Sequence, residues 1–202
     1  MENDELKEVE GCSCCSDCGA TDLSSQDECV GDSNCCTDTP INNGNKRRIT
    51  IDFLYLDLST CERCQGTDTS LDEALKEVEN VLKLTGVEVI TNKVNVNTAD
   101  LAKQYKFLSS PTIRVNGRDI QMEVKENNCT SCGDLCGNDV DCRTWSYDGD
   151  EYDVPPKAMI IESILKMVYG NIKDNQEVQE YVLPRNLQLF YLAMDKKYKK
   201  KK

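Results

Sequence analysis

The residues best suited to chemistry are cysteines, of which the chain has thirteen, and it has no histidine. Cys61 and Cys64 form a Cys-Glu-Arg-Cys motif that follows a predicted strand and precedes a predicted helix. The free N–H groups and the dipole of a helix amino terminus stabilise a thiolate, and this spacing lets the second thiol close a disulfide. The motif therefore predicts redox or thiol-transfer chemistry, capture of a metal or metalloid ion, or an unreactive structural pair.

A second group of four cysteines lies within fourteen residues: Cys129, Cys132, Cys136 and Cys142. Gly133 and Gly137 supply turns that let the chain wrap around a small centre. Four thiolates satisfy a tetrahedral zinc ion, and binding would order a loop that lacks an apolar core. A structural metal, disulfides or a redox relay, and reduced thiols without a ligand are the three alternatives. The group follows a predicted hairpin, so one of its thiols is also expected to relay electrons to the dithiol or to provide a third ligand there.

The amino-terminal region contains a third group, of seven thiols in twenty-five residues: Cys12, Cys14, Cys15, Cys18, Cys29, Cys35 and Cys36. Adjacent cysteines close a strained disulfide ring, but they can contribute thiolates to soft ions such as Zn(II), Hg(II) or As(III). A second candidate metal cluster and incidental cysteines in an acidic tail both remain open here.

The missing histidines exclude several classes of site. Ser-His-Asp and Cys-His catalysis, histidine-ligated zinc and histidine proton relays all require a side chain that this chain lacks. A metal would have to be bound by thiolate, carboxylate or backbone oxygen, which favours soft ions.

Charge and hydropathy restrict the partners and the compartment. The net charge of −12 argues against nucleic acid as a ligand. The first ten residues have neither the basic start nor the apolar stretch of a signal peptide, and no run approaches the roughly 20 apolar residues of a membrane span. We therefore expect a cytoplasmic protein, in which abundant cysteines stay reduced and bind metals or do redox work.

Hydrophobic periodicity and turn signals predict alternating strands and helices. A capping box at Ser70–Glu73 predicts a helix start, and Asn116-Gly117 predicts a two-residue hairpin turn. The predicted elements are a strand from Arg48, a helix that Gly86 ends, a strand over 87–96, a helix over 98–107, strands over 112–115 and 120–124, and helices over 157–169 and 183–198.

The composition divides the chain into three regions. Residues 1–47 are acidic and cysteine-rich and are expected to be a disordered tail. Residues 48–172 are expected to form one domain, with a cysteine-rich insertion at 126–155 that has no periodicity. Residues 173–202 are expected to add a helix and a lysine-rich tail.

The segment Leu108-Ser-Ser-Pro-Thr-Ile-Arg-Val-Asn-Gly117, combined with the dithiol, resembles the proline turn of the thioredoxin-like superfamily. The resemblance covers roughly residues 48–124 and 157–170. More narrowly, the chain is similar to an uncharacterised thioredoxin-like family that has the same second cysteine group. The resemblance implies an α/β fold in which helices flank a four-stranded mixed sheet. It further implies that Pro111 is a cis proline, that Ser110 faces the substrate, that Cys61 is an exposed nucleophile and that Cys64 is the resolving thiol.

The first hypothesis is a cytoplasmic thiol–disulfide oxidoreductase that acts on a protein or small-molecule disulfide. Cys61, Cys64, Ser110 and Pro111 would form its catalytic site. The alternative is a protein that binds or detoxifies soft metals or metalloids such as zinc, mercury or arsenic. No organic cofactor is expected, and zinc or another soft metal on cysteine thiolates is the expected inorganic one.

Overall fold

The structure is a computed structural model that describes residues 47–137, 139–170 and 180–199. Apart from Arg47, the predicted amino-terminal tail lies outside the described residues, and so do its seven cysteines. The predicted boundary near residue 172 also lies outside them. The proposed extents of tail and domain therefore remain predictions.

A four-stranded mixed sheet forms the centre of the fold, with strand order β2-β1-β3-β4. Its strands are β1 (Arg47–Tyr55), β2 (Val87–Asn95), β3 (Thr112–Val115) and β4 (Arg118–Asp119). β1 pairs in parallel with β2 and antiparallel with β3, which in turn pairs antiparallel with β4. The expectation of a mixed α/β protein with a four-stranded sheet is confirmed.

Five helices complete the described part of the chain: α1 (Glu62–Leu84), α2 (Ala99–Gln104), α3 (Thr130–Cys136), α4 (Lys157–Tyr169) and α5 (Arg185–Lys199). Successive side chains of β1 point to opposite faces of the sheet, and a different group of helices covers each face. Ile51 and Phe53 belong to the core shared with α1 and α4, whereas Leu54 belongs to the core shared with α2 and α5.

The start of α1 differs from the expectation. The helix begins at Glu62, directly after Cys61, so the predicted capping box at Ser70–Glu73 is wrong. Ser70 is buried inside the helix, and its hydroxyl donates a hydrogen bond to the carbonyl of Pro155 (2.6 Å). A tertiary contact, rather than an amino-terminal cap, accounts for this serine.

The hairpin is confirmed at its turn but not along its second strand. Asn116 and Gly117 both have positive φ, 51° and 79°, as a type I′ turn requires. The returning strand β4 has only two residues, and the strand predicted over 120–124 is not formed. Instead, the side-chain amide of Gln121 donates to the carbonyls of Glu123 (2.8 Å) and Thr144 (3.2 Å).

The cysteine-rich insertion has regular structure that its lack of periodicity did not predict. It contains β5 (Lys125–Asn128), α3, β6 (Asp141–Tyr147) and β7 (Asp150–Tyr152), and the three strands form an antiparallel sheet in the order β5-β6-β7. The strands are short and mostly polar, so pairing and burial of β6, rather than alternation, define them.

The insertion ends against α1. A Cβ atom at Gly66 would approach a methyl carbon of Val154 to 2.5 Å, so this close approach requires glycine. Among the residues that the structure describes, no helix is long and apolar enough to cross a membrane.

Candidate metal centre

Four buried cysteine sulfurs lie within 4.8 Å of one another: Cys61, Cys129, Cys132 and Cys142. The dithiol contributes one of them, and the insertion contributes the other three. No disulfide joins any of the cysteines in the described residues. The thiol of Cys142 donates to the sulfur of Cys132 at 3.3 Å. The arrangement is a compact group of reduced thiols.

Cys61 reaches this group because it is the N-cap residue of α1. Its backbone is extended there (φ −79°, ψ 104°), and its sulfur accepts a hydrogen bond from the backbone N–H of Cys64 (3.4 Å). The loop before it is held by Asp57, whose carboxylate accepts hydrogen bonds from the backbone N–H (2.6 Å) and hydroxyl (2.7 Å) of Thr60. Capping geometry and the positive end of the helix both favour a thiolate at this position.

The insertion positions the other three sulfurs through a strand pair and a short helix. Cys142 lies opposite Asn127 in the β5–β6 register, and the N–H of Cys129 donates to the carbonyl of Val140 (2.8 Å). Cys129 is the N-cap residue of α3, and Cys132 follows within the first turn of that helix. The chain therefore reverses on itself between Cys129 and Cys142 and brings their sulfurs together.

Arg63, in the first turn of α1, connects this helix to the insertion. Its guanidinium donates to the carbonyls of Asn127 (3.4 Å), Asn128 (3.2 Å) and Cys142 (3.2 Å), and it forms an ion pair with Asp153 (2.9 Å). The side chain is only 13% exposed. A single cation thus contacts both strands that lead to the sulfur group.

Cys64 lies beside the group but is not one of its four members. Its sulfur is hydrogen-bonded to the hydroxyl of Ser110 at 3.4 Å, and the Ser110–Pro111 peptide bond is cis. The carbonyl of Ser110, the residue that the resemblance expects to face the substrate, accepts a hydrogen bond from the backbone N–H of Arg143 (2.7 Å). The insertion occupies that backbone position.

Cys136, which the spacing grouped with Cys129, Cys132 and Cys142, lies outside the four-sulfur group. It is buried at the last position of α3, where its thiol lies 3.9 Å from the carbonyl of Gly133. Cys61 takes the fourth place instead. Where the sequence predicted one insertion thiol beside the dithiol, the structure places three of them next to Cys61.

The hydrogen bonds among the thiols shift their pKa values in opposite directions. The pKa of Cys61 is lowered, chiefly by a hydrogen bond from the Cys129 thiol. Hydrogen bonds from Cys132 and Cys142 lower the pKa of Cys129 to about 7. The pKa of both Cys132 and Cys142 is raised, in each case mainly by the hydrogen bond with Cys129. The lowered pKa of Cys61 favours its thiolate form, and the raised pKa values of Cys132 and Cys142 favour their protonated forms.

Cys64 remains protonated beside the Cys61 thiolate. Its pKa is raised, first by its hydrogen bond with Cys61 and then by burial, while the hydrogen bond with Ser110 opposes the shift. The pKa values of the two dithiol cysteines are thus shifted in opposite directions, which favours the thiolate at Cys61 and the thiol at Cys64.

The donor set fits a tetrahedral soft metal. A zinc–sulfur bond of about 2.3 Å in tetrahedral geometry places the sulfurs about 3.8 Å apart. The sulfurs in this group, all within 4.8 Å of one another and with one pair at 3.3 Å, need only small shifts to reach that spacing. All four residues are buried, so an ion there would be shielded from water.

Comparison with known protein families shows that residues 49–164 match a family described as a domain of unknown function (DUF2703). The matched segment includes all four cysteines of the sulfur group. The chain is also 30% identical over 104 residues to an uncharacterized protein of Archaeoglobus fulgidus, an alignment that covers 50% of this chain and 74% of that protein. No solved structure matches the chain.

Proposed function

We propose that this chain, which belongs to the DUF2703 family, binds a soft metal ion through the thiolates of Cys61, Cys129, Cys132 and Cys142. The observation that carries the proposal is the convergence of these four buried sulfurs within 4.8 Å. Zinc is the ion that a set of four thiolates fits best, and Cd(II), Hg(II) and As(III) share its preference for sulfur. A reducing compartment such as the cytoplasm would keep the thiols available.

The character of the donor set supports a closed site. Four protein thiolates complete a tetrahedral shell, which is typical of structural or storage sites, whereas catalytic zinc keeps one position open for water or substrate. Binding would replace the protons that Cys132 and Cys142 share with their neighbours. Arg63 would offset part of the negative charge of a tetrathiolate centre, because its guanidinium lies against the carbonyl of Cys142.

A thioredoxin-like arrangement of the domain accompanies this proposal. The strand order β2-β1-β3-β4 and the cis peptide before Pro111 beside Cys64 both support it. In this arrangement the insertion lies over the dithiol, and its backbone, at Arg143, pairs with Ser110.

Thiol–disulfide oxidoreduction of external substrates is the second candidate. The position of Cys61 before α1 and the contact between Cys64 and Ser110 favour it. Two observations rank it lower. Neither cysteine of the dithiol has any exposed surface, and the Ser110 carbonyl already has a backbone partner within the chain. A substrate disulfide would have to displace the insertion before it reached Cys61.

Metal binding can be tested on the full chain in which the seven amino-terminal cysteines are replaced by serine, so that only the described thiols remain. We expect one zinc per chain after anaerobic purification, and we expect Co(II) to give the thiolate charge-transfer and tetrahedral ligand-field bands of a four-sulfur site. Serine at position 61, 129, 132 or 142 should weaken zinc binding at least about 100-fold, because loss of a direct ligand exceeds the effect of outer-shell changes.

The Cys136→Ser variant is the matched control, since it removes a buried thiol from the same insertion but outside the sulfur group. It should retain wild-type zinc affinity. Absence of zinc or cobalt uptake would overturn the proposal, and so would a Cys61→Ser variant that binds normally while Cys136→Ser does not. Repeated turnover of a protein disulfide by the metal-loaded protein, without loss of zinc, would favour the second candidate.

A further inference from the structure

Cys61 has two kinds of sulfur partner. It is one of the four sulfurs of the candidate centre, and it is also the first residue of a dithiol with Cys64. The Cys64 backbone N–H donates to the Cys61 sulfur (3.4 Å). Cys64 itself is not part of the four-sulfur group. It is therefore a fifth thiol next to one ligand.

We propose that oxidation of the Cys61–Cys64 dithiol releases the bound metal. A small-molecule disulfide oxidises the pair, Cys61 ceases to be a ligand, and the ion dissociates. This inference rests on the proposed function, because it presupposes a metal held by Cys61, Cys129, Cys132 and Cys142. It adds to that function the condition under which the ion is released, namely oxidation, because a sulfur in a disulfide is no longer a thiolate ligand.

The step balances in atoms and electrons. The Cys61 thiolate attacks one sulfur of the oxidant R–S–S–R, forms a mixed disulfide and expels one thiolate RS⁻. Cys64 then loses its proton and attacks the Cys61 sulfur, which closes the Cys61–Cys64 disulfide and expels the second RS⁻. The proton from Cys64 converts one RS⁻ to RSH. The two protein sulfurs lose two electrons, the oxidant gains them, and the metal retains only three thiolates.

The position of Cys64 suits this role better than that of any ligand thiol. Cys129, Cys132 and Cys142 would all be ligands of the same ion as Cys61. A disulfide between two of them would therefore remove two ligands at once, and nothing in their arrangement selects one pair over another. Cys64 lies one helical turn from Cys61, outside the ligand set, and its sulfur is held by the Ser110 hydroxyl (3.4 Å). It is available for reaction with Cys61 and costs the centre no ligand while it is reduced.

Burial sets the order of events. Cys61 and Cys64 are fully buried, and Arg63 joins β5 and β6 of the insertion to the first turn of α1. An oxidant gains access when the segment around Cys129 and Cys142 moves away, and a bound metal opposes that movement. The metal-free protein should therefore oxidise faster than the metal-loaded protein.

Linkage makes the effect reciprocal. If the disulfide weakens metal binding about 100-fold, metal binding must disfavour the disulfide by the same factor. A factor of about 100 corresponds to a midpoint potential about 60 mV more positive for the dithiol in the presence of metal, because the metal stabilises the reduced form.

The test uses the full chain with serine at the seven amino-terminal cysteine positions, loaded with one zinc. Glutathione disulfide is added, zinc release is followed with a metallochromic indicator, and the disulfide is located by peptide mapping with mass spectrometry. We expect one zinc released per Cys61–Cys64 disulfide formed. The Cys64→Ser variant should bind zinc with wild-type affinity but release it at least about tenfold more slowly, because the resolving thiol is missing.

Cys136→Ser is again the matched control and should release zinc at the wild-type rate. Release from Cys64→Ser at the wild-type rate would overturn the inference, and so would mapping that places the new disulfide between two insertion cysteines. The mapping uses the unsubstituted dithiol, so it decides the question even if Cys64→Ser does not fold. Normal zinc binding with release independent of Cys64 would contradict this inference alone, whereas a protein that takes up no zinc would contradict the proposed function as well.

Discussion

Arg63 contacts both strands that lead to the candidate centre, although it is not one of the four candidate ligands. Its guanidinium bonds three carbonyl groups of β5 and β6, including that of Cys142. These bonds require the planar, multiply donating group of arginine, because a lysine ammonium cannot reach several carbonyls in one plane. The residue joins the two strands on either side of the candidate centre.

Replacing Arg63 by glutamine should weaken zinc binding by roughly 10- to 100-fold, the usual range for loss of a partner that orients a ligand. Arg63→Lys should recover part of the loss by retaining the charge. Competition against a chromophoric chelator measures both affinities. Arg48→Gln is a suitable control, because Arg48 forms only an exposed ion pair with Glu88. Equal affinities for Arg63→Gln and wild type would contradict the role assigned to this residue.

Arg143 is a second arginine whose side chain joins separate strands. Its side chain is fully buried, forms an ion pair with Asp119 (2.8 Å) and donates to the hydroxyl of Thr112 (3.1 Å). Its backbone N–H occupies the Ser110 carbonyl. The residue after Cys142 thereby joins β6 to β3 and β4.

At the scale of elements, α5 closes the apolar cluster around the sulfur group. Phe190 and Tyr191 share one buried cluster with Cys61 and with the cysteines of the insertion. Polar contacts reinforce the packing: the Asn186 side chain exchanges hydrogen bonds with the backbone of Asp141 (3.1 and 2.6 Å), directly before Cys142. The helix predicted as a carboxyl-terminal addition is thus part of the wall of the candidate centre.

Phe190→Ala should destabilise the protein by about 3–5 kcal/mol, because it removes a buried aromatic ring and leaves a cavity. Zinc affinity should fall with it, since the same cluster supports the ligand cysteines. Urea unfolding and zinc competition measure the two effects. Leu192→Ala, on the exposed side of the same helix, should change stability by no more than about 0.5 kcal/mol. Loss of stability without any loss of zinc affinity would separate α5 from the centre.

At the scale of the whole molecule, the candidate ligands lie on separate segments of the chain. One ligand precedes α1 of the central domain, and three belong to the insertion with its own small sheet. An ion bound to all four would cross-link these segments in the folded state, where the unfolded chain offers no preformed site. Metal binding should therefore increase the free energy of unfolding.

Zinc at a free concentration of about 1,000 times its dissociation constant should stabilise the fold by about 4 kcal/mol. For a chain of this length that corresponds to a rise in Tm of roughly 10 °C, which a chelator should reverse. Differential scanning calorimetry measures it in the background without the amino-terminal cysteines. The Tm of the Cys142→Ser variant should not respond to zinc. A wild-type Tm that is equally insensitive would contradict metal-coupled folding.

Local patterns were sufficient for much of the fold. β1, β2 and α4 follow from hydrophobic periodicity, and the Asn116-Gly117 turn follows from the positive φ values that these residues tolerate. The same local logic predicted a helix after the dithiol, but that helix begins at Glu62 and contains Cys64 instead of beginning at the predicted capping box. These features depend on residues near one another along the chain, so the amino-acid order contains the physical information that determines them.

The membership of the sulfur group was decided only by tertiary packing. Spacing along the insertion selects Cys136, which lies one turn after Cys132, whereas the folded chain replaces it with Cys61. No periodicity relates residue 61 to residues 129–142, because their proximity arises from the β5–β6 pairing, the Arg63 bonds and the contact of Arg143 with Ser110. Burial of the dithiol likewise depends on what covers it, which is a property of the assembled elements and not of any one of them.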